Sequence, residues 1–311
     1  MHYTGTIWRP PFEAESLLLE VTAGCTHHRC KFCTLYDELP FSFRMSPLED
    51  VEADLLQAQL WASDPIARLS ARLQGQGAPE AVRRVFLTGA NPFALSFARL
   101  EEIAGLIRRY LPSCRSIGCF ARVTDVGLKL DGELEKLRLL GFDGLSIGVE
   151  TGDDRALAFM DKGYQAQEIV RQAQRLDRAG ISYHFMYLAG LAGAGQGAEG
   201  ARRSAEIFNQ TRPKIIGSSM LTVYPESRLF RDIQAGRWQE ESELEKLEEL
   251  AVLLERLDIP VWFATLGASN AVRVQGTLPR DRQEMLARLR EAGRPEHEAP
   301  LRRYRAGLKH L

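Results

Sequence analysis

Long apolar runs are missing from this chain, and so is an excess of charge of either sign. No apolar stretch approaches the length of a membrane span, and the first residues lack the basic-then-apolar layout of a signal peptide. A formal net charge of -1, from 40 Lys+Arg against 41 Asp+Glu, gives no electrostatic case for a nucleic-acid partner. Cysteine is scarce: there are five, an odd number, clustered as three plus two, which does not match a secreted disulfide framework. The cytoplasm, which keeps thiols reduced, is therefore the expected compartment. No internal repeat beyond alternating strands and helices and no low-complexity segment is found.

Three of the five cysteines, Cys25, Cys30 and Cys33, stand within nine residues, directly after the apolar, strand-like residues 17–22. Thiolates are the ligands that soft metals prefer, so this density points to a metal centre. Three protein ligands leave one iron of a cubane iron-sulfur cluster open, and an open position is what metal sites built for chemistry provide. Other readings stay open at this point. A plant-type 2Fe-2S pattern also begins with a spacing of four, then two, but needs a fourth cysteine, and the remaining Cys114 and Cys119 are remote. A zinc site completed by His27 or His28 and a set of unliganded thiols are the alternatives.

At 311 residues and 45% hydrophobic content, the chain can bury a large core. Ser46, Pro47, Leu48 and Glu49 read as a capping box with proline at the first helical position, and Leu48, Val51, Leu55 and Ala62 fall on one face of the helix that follows. Residues 74–78, rich in Gly, Ala and Gln, read as a surface insertion. Strands are then expected at 85–88, 116–121, 144–149, 182–188 and 215–224, with helices at 100–110, 131–140, 165–179 and 198–209 between them. Such alternation implies a parallel sheet with right-handed crossovers. Six units predict an α/β fold, a partial (β/α)6 TIM-like barrel, with a closed eight-stranded barrel as runner-up because residues 260–264 can add a strand. In parallel barrels the working loops follow the carboxyl ends of the strands. The cluster loop, Gly89 to Pro92, Arg122, Glu150 to Gly152 and Gly190 to Gly193 all stand there. The acidic run 240–249 reads as the solvated face of a helix.

These motifs, in this order, resemble the radical S-adenosylmethionine (SAM) superfamily over residues 17–224. The likeness is closer to its branch of stand-alone, cobalamin-free iron-sulfur oxidoreductases, which share a fourth-strand motif with oxygen-independent coproporphyrinogen oxidases. It is carried by the cysteine loop, one residue longer than the commonest spacing, by Thr88 to Pro92, and by residues 145–152 followed by Lys162 and Gly163. The resemblance implies that Cys25, Cys30 and Cys33 bind a 4Fe-4S cluster whose open iron chelates SAM. Reductive cleavage to a 5'-deoxyadenosyl radical, which abstracts hydrogen from a substrate, is the implied reaction. It implies that Phe32 packs the adenine and that the backbone of Gly89, Ala90 and Asn91 receives the methionyl ammonium. Ala90 stands where the family has a second glycine and Asn91 where it has a glutamate. Gly148 admits a close approach, and the resemblance implies that Glu150 holds ribose hydroxyls or the ammonium and that Lys162 meets the methionyl carboxylate.

The fifth strand offers Ser182, His184 and Met186 on one face and Tyr183, Phe185 and Tyr187 on the other. It lacks the aspartate that related enzymes place there. The loop 190–197 reads as a flexible rim. Ser269 and Asn270, in turns that recur in the same branch, either touch substrate or cap the sheet. The expected organisation is a core barrel over 1–225 and a C-terminal extension over 226–311 that covers it. No further cysteine pairs for auxiliary clusters, cobalamin domain or basic RNA-binding appendage is evident. Expected partners are an unidentified small-molecule substrate and an electron donor such as a flavodoxin or ferredoxin. An RNA-modifying radical SAM enzyme and an iron-sulfur or zinc protein that does not use SAM are the rival functions. Cys114 and Cys119 are expected to lie outside the cluster site, Cys119 as a small buried hydrophobe.

Overall fold

The computed structural model describes residues 1–64, 66, 70, 73 and 81–308; the insertion expected at 74–78 lies outside them. Ten strands are described: β1 (Leu17–Glu20), β2 (Thr22–Gly24), β3 (Phe43–Met45), β4 (Arg84–Thr88), β5 (Ser116–Ala121), β6 (Phe142–Glu150), β7 (Tyr183–Ala189), β8 (Ile215–Met220), β9 (Val261–Thr265) and β10 (Gln275–Leu278). The chain divides into two compact units, one of Met1–Thr26, Leu35–Ser146 and Ala179–Ile181, the other of His27–Thr34, Ile147–Arg178 and Ser182–Leu311.

In the first unit the main sheet runs β1-β4-β5-β6. β1 and β4 are parallel with Leu17 opposite Val85, as are β4 and β5 with Arg84 opposite Ser116. Leu19, Val85, Phe86 and Leu87 are fully buried, as the near-continuous apolar strands of a parallel sheet covered on both faces must be. Each such side chain contributes about 1.5–3 kcal/mol on removal from water. The helix Phe97–Tyr110 covers one face through Leu100, Ile103, Ala104 and Ile107, a helical i, i+3, i+4, i+7 stripe, and Ser96 caps it by accepting the Arg99 N–H.

Two expectations fail here for tertiary reasons. Residues 17–22 do not form one strand, because Val21 turns from one sheet to another: its N–H donates to Thr88 O and its carbonyl accepts from Ser46 N–H. Thr22–Gly24 therefore leaves the main sheet and pairs antiparallel with β3. The capping box at Ser46 does not form either. The helix Leu48–Ser63 has Pro47 at its N-cap and no side-chain cap, since buried Ser46 is held by Val21 and by the Arg99 guanidinium on its carbonyl.

The second unit continues the order β6-β7-β8-β9-β10. β7, β8 and β9 are parallel, and β10 returns antiparallel along β9. The expected alternation on β7 is observed. Tyr183 packs on Phe185, and Phe185 and Tyr187 pack on Phe208 of the helix Gly197–Phe208, at centroid distances of 5.2, 5.3 and 6.1 Å. β8 ends at Met220, four residues early, where the Met220 N–H turns to Ser269 Oγ. The strand expected near 260–264 is β9, so two strands follow the six of the expected core.

The acidic run is not a solvated face. Glu241, Glu243, Lys246 and Glu249, in and before the helix Glu243–Arg256, are all buried. Glu243 takes a two-pronged ion pair from Arg305, and Lys246 Nζ reaches Glu240 at 2.7 Å and Leu221 O at 3.1 Å. Glu249 accepts from Tyr187 Oη and from the Gly190 N–H. The helix lies against the small residues of Gly197–Phe208, so its charged side chains enter the core and find partners there. No helix among the described residues is long and apolar enough to cross a membrane.

Candidate cofactor site

In the first unit the cysteine loop leaves the β2–β3 ribbon at a point that only glycine fits. Gly24 has φ +76, and a Cβ there would stand 2.2 Å from Ser42 O. Cys25 follows, its N–H on Ser42 O at 2.7 Å. Asn91, fully buried after β4, then grips the next residue twice. Its Oδ1 accepts the Thr26 N–H at 3.2 Å, and its Nδ2 donates to Thr26 Oγ1 at 2.7 Å and to Asp125 Oδ2 at 3.0 Å. Both amide hydrogens of Asn91 are thus committed to the protein. Asp125 also accepts the Arg122 N–H at 2.7 Å; burial pushes its carboxyl up, against the pull of that N–H and of the Asn91 amide. Gly89 has φ +117, and a Cβ there would lie 2.0 Å from Thr22 Oγ1. The turn Gly89, Ala90, Asn91 therefore docks on the ribbon that carries Cys25.

In the second unit the other half of the loop is tied down separately. Cys33 N–H donates to Cys30 O at 3.2 Å, a tight turn that brings these two cysteines together. Between them, Lys31 N–H bonds Met160 O and Lys31 O accepts from Leu229 N–H, at 3.1 and 2.8 Å. Lys31 Nζ pairs with Asp232 at 2.7 Å and stands 3.8 Å from the Phe159 ring centre. His27 Nε2 meets Asp161 O, and Arg228 Nη1 donates to Arg29 O at 2.8 Å. Phe32 packs on the buried cluster of Met160, Leu191, Leu221 and Leu229, so it anchors the loop.

Glu150 ends β6 with φ +62, an uncommon left-handed conformation for a residue with a side chain. Its carboxylate folds back over Gly148, where a Cβ would lie 2.7 Å from Glu150 Oε1. Lys162, only 4% exposed, donates to that same oxygen and to Gly148 O, each at 3.2 Å, and stands 5.8 Å from the Phe32 ring centre. Tyr164 Oη bonds the Val149 carbonyl at 2.9 Å. Phe32, Gly148, Glu150 and Lys162 therefore form one group in this unit, while Gly89, Ala90 and Asn91 belong to the other. Thr151 and Gly152 are structural: Ser204 Oγ lies 3.0 Å from Thr151 Oγ1 and accepts the Gly152 N–H at 2.7 Å.

Sequence reasoning missed Tyr164, Asp125 and the ties at Lys31. It also expected a flexible rim at 190–197, where Gly190 and Gly195 donate to Glu249 and Glu245 at 2.7 and 2.8 Å and Ala194 N–H bonds Gln239 O. Ser269 and Asn270 cap strand ends, Asn270 Nδ2 donating to Ser218 O and Leu266 O. Cys119 is fully buried in β5, where burial drives its thiol well above the ordinary range, and half-buried Cys114 bonds Ser116 O. None of the five cysteines is in a disulfide, and no group of three His, Cys, Asp or Glu side chains placed around a single metal ion is found among the described residues.

Residues 19–191 match the radical SAM superfamily. No curated protein sequence matches the chain. Among solved structures, coproporphyrinogen III oxidase (HemN) from Escherichia coli, a radical SAM enzyme, is similar with 17% identity and a TM-score of 0.53, over 78% of this chain and 52% of that one. Methylornithine synthase (PylB) is similar with 14% identity and a TM-score of 0.51, over 93% and 85%. The radical SAM methyltransferase TsrM from Kitasatospora setae, with cobalamin and a [4Fe-4S] cluster bound, has 17% identity and a TM-score of 0.53; the aligned part is 71% of this chain but only 39% of that one. At such identities the likeness is one of fold, a mostly parallel α/β sheet of the TIM-like barrel type. The family match spans more than half of the 311 residues, and the chain accordingly belongs to the radical SAM superfamily, enzymes whose cofactors are a 4Fe-4S cluster and SAM.

Proposed function

We propose that Cys25, Cys30 and Cys33 hold the 4Fe-4S cluster and that Phe32, Gly89, Ala90, Gly148, Glu150 and Lys162 receive SAM at its open iron. One observation carries this reading: three cysteines outside any disulfide stand within nine residues inside the family match. The donor set fits the group, because three soft thiolates suit iron-sulfur chemistry and leave one iron for a cosubstrate. When bound, the pair supplies reductive cleavage of a carbon-sulfur bond and a 5'-deoxyadenosyl radical that takes hydrogen from the substrate.

The protein's own part is to hold and orient. Asn91 positions the cluster loop through Thr26, leaving the Gly89 and Ala90 backbone as the acceptors for the methionyl ammonium. Glu150 is kept in its strained conformation by Lys162, and an outlier of this kind at a strand end is a mark of a ligand-holding position. Lys162 is ready to exchange Glu150 for the methionyl carboxylate, and Glu150 then turns to the ribose hydroxyls. Phe32, braced by apolar neighbours on one side, offers its ring to the adenine.

The substrate we infer is a small organic molecule, in keeping with a near-neutral chain. The test is iron and sulfide analysis after anaerobic reconstitution. About one cubane per chain is expected in the wild type and in Cys114→Ala and Cys119→Ala, and loss of it in Cys25→Ala, Cys30→Ala and Cys33→Ala. Equal loss in Cys119→Ala would favour a ferredoxin-like centre.

A further inference from the structure

The outer side of the cysteine loop carries a basic cavity that the cofactor reading leaves unused. It has a volume of about 290 Å³ and is lined by Lys31, Arg228, Arg231, Asp232 and Arg237. Arg29, beside Cys30, is exposed and lends its carbonyl to Arg228. Buried Asp232 is shared by Lys31 and Arg237, and Arg228 pairs with Asp161 at 3.4 Å. Arg231 is exposed and makes no ion pair among the described residues. The cavity wall therefore holds four cations against one carboxylate, on a chain whose formal net charge is -1. Both neighbours of Cys30 in the chain belong to this patch.

We propose that this patch is the docking surface for an acidic one-electron carrier protein that reduces the cluster. The proposal rests on the cluster assignment above. One electron leaves the carrier's reduced centre and enters the cluster; no bond forms or breaks and no proton moves in that step. Carboxylates on the carrier meet Arg231, Arg237 and Arg29, and one enters the cavity toward the Asp232 cations. Opposite charges at such a rim act chiefly on the rate of encounter and on its salt dependence. A nucleic acid fits less well. Phosphate chains need an extended basic track, whereas this patch is compact and interleaved with Asp161 and Asp232.

The experiment uses the reconstituted chain, a purified flavodoxin with an acidic face around its flavin, and dithionite as the small reductant. The substitutions are Arg231→Glu alone and Arg231→Glu with Arg237→Glu; the first alters an exposed, unpaired side chain and keeps the test available if the second does not fold. Stopped-flow absorbance follows cluster reduction, and calorimetry follows flavodoxin binding. Charge reversal should slow reduction by flavodoxin about tenfold at low ionic strength, the scale of electrostatic steering. Reduction by dithionite should not change, and the wild-type advantage should fade at about 0.15 M salt. A flavodoxin rate indifferent to both substitution and salt would overturn the proposal, as would tighter binding of an RNA oligonucleotide than of flavodoxin at the same arginines. If no cluster assembles, the cofactor reading falls by itself, and calorimetry on Arg231→Glu still decides the surface.

Discussion

Lys162 and Glu150 meet at 3.2 Å with the lysine buried and the glutamate held at φ +62. The same Glu150 oxygen lies 2.7 Å from the position that a Cβ on Gly148 would take. These three residues thus form one device: the glycine leaves room, the lysine holds the carboxylate, and the carboxylate is poised at the strand end.

Two substitutions should reach that device by different routes. Glu150→Gln removes a charge-assisted hydrogen bond and should weaken SAM binding by about 1–3 kcal/mol with the cluster intact. Gly148→Ala meets only the movable end of a side chain, so the fold should survive within about 1 kcal/mol. It should nevertheless displace the Glu150 carboxylate and weaken SAM similarly. Calorimetry of the double variant should show a loss well short of the sum, because both changes remove one interaction. Unchanged SAM affinity in Glu150→Gln would assign the residue to structure.

Asn91→Ala should loosen the entry to the cysteine loop. It removes both bonds to Thr26 and the one to Asp125, a buried carboxyl that then keeps only the Arg122 N–H of the partners described here. A loss of about 1–3 kcal/mol in urea unfolding is expected. Faster amide hydrogen exchange at Thr26 should accompany it, with exchange in the helix Phe97–Tyr110 unchanged. Equal exchange at Thr26 would show that Asn91 does not brace the loop.

Much of this was legible in the sequence. β5 falls on the expected residues because its apolar run is bounded by polar turns, and Cys25, Cys30 and Cys33 announce themselves by density alone. Other features depend on pairing across the fold. Residues 17–22 read as one apolar, strand-like stretch, and only the bonds of Val21 to Thr88 and Ser46 decide that the ribbon begins at Thr22. The resemblance singles out Lys162, but its bonds to Glu150 and to the Gly148 carbonyl depend on the fold. The run 240–249 reads as a solvated face until Arg305, some sixty residues later, is found on Glu243.

That same run yields a pH dependence. Burial, then the Glu249 charge, pushes Glu241 up to about 9, and burial raises Glu249 as well, moderated by its bonds from Tyr187 and Gly190. Folded-state values above the unfolded ones mean that the contribution is complete at low pH and is lost as pH rises through the folded values. Thermal stability should therefore decline from about pH 5, just above the unfolded values, to about pH 9, by an amount on the order of a few kcal/mol. Glu241→Gln, a neutral mimic, should flatten the decline. A wild-type profile that is flat or rising over this window would contradict the raised values of Glu241 and Glu249.

The central claim, that this chain cleaves SAM at a cluster held by Cys25, Cys30 and Cys33, is tested most directly by quantifying 5'-deoxyadenosine after anaerobic reconstitution and reduction with dithionite. The account predicts product from the wild type and from Cys114→Ala and Cys119→Ala, and none from Cys25→Ala, Cys30→Ala or Cys33→Ala. A fully loaded, reduced wild-type cluster that yields no 5'-deoxyadenosine and whose spectrum SAM leaves unchanged would contradict it.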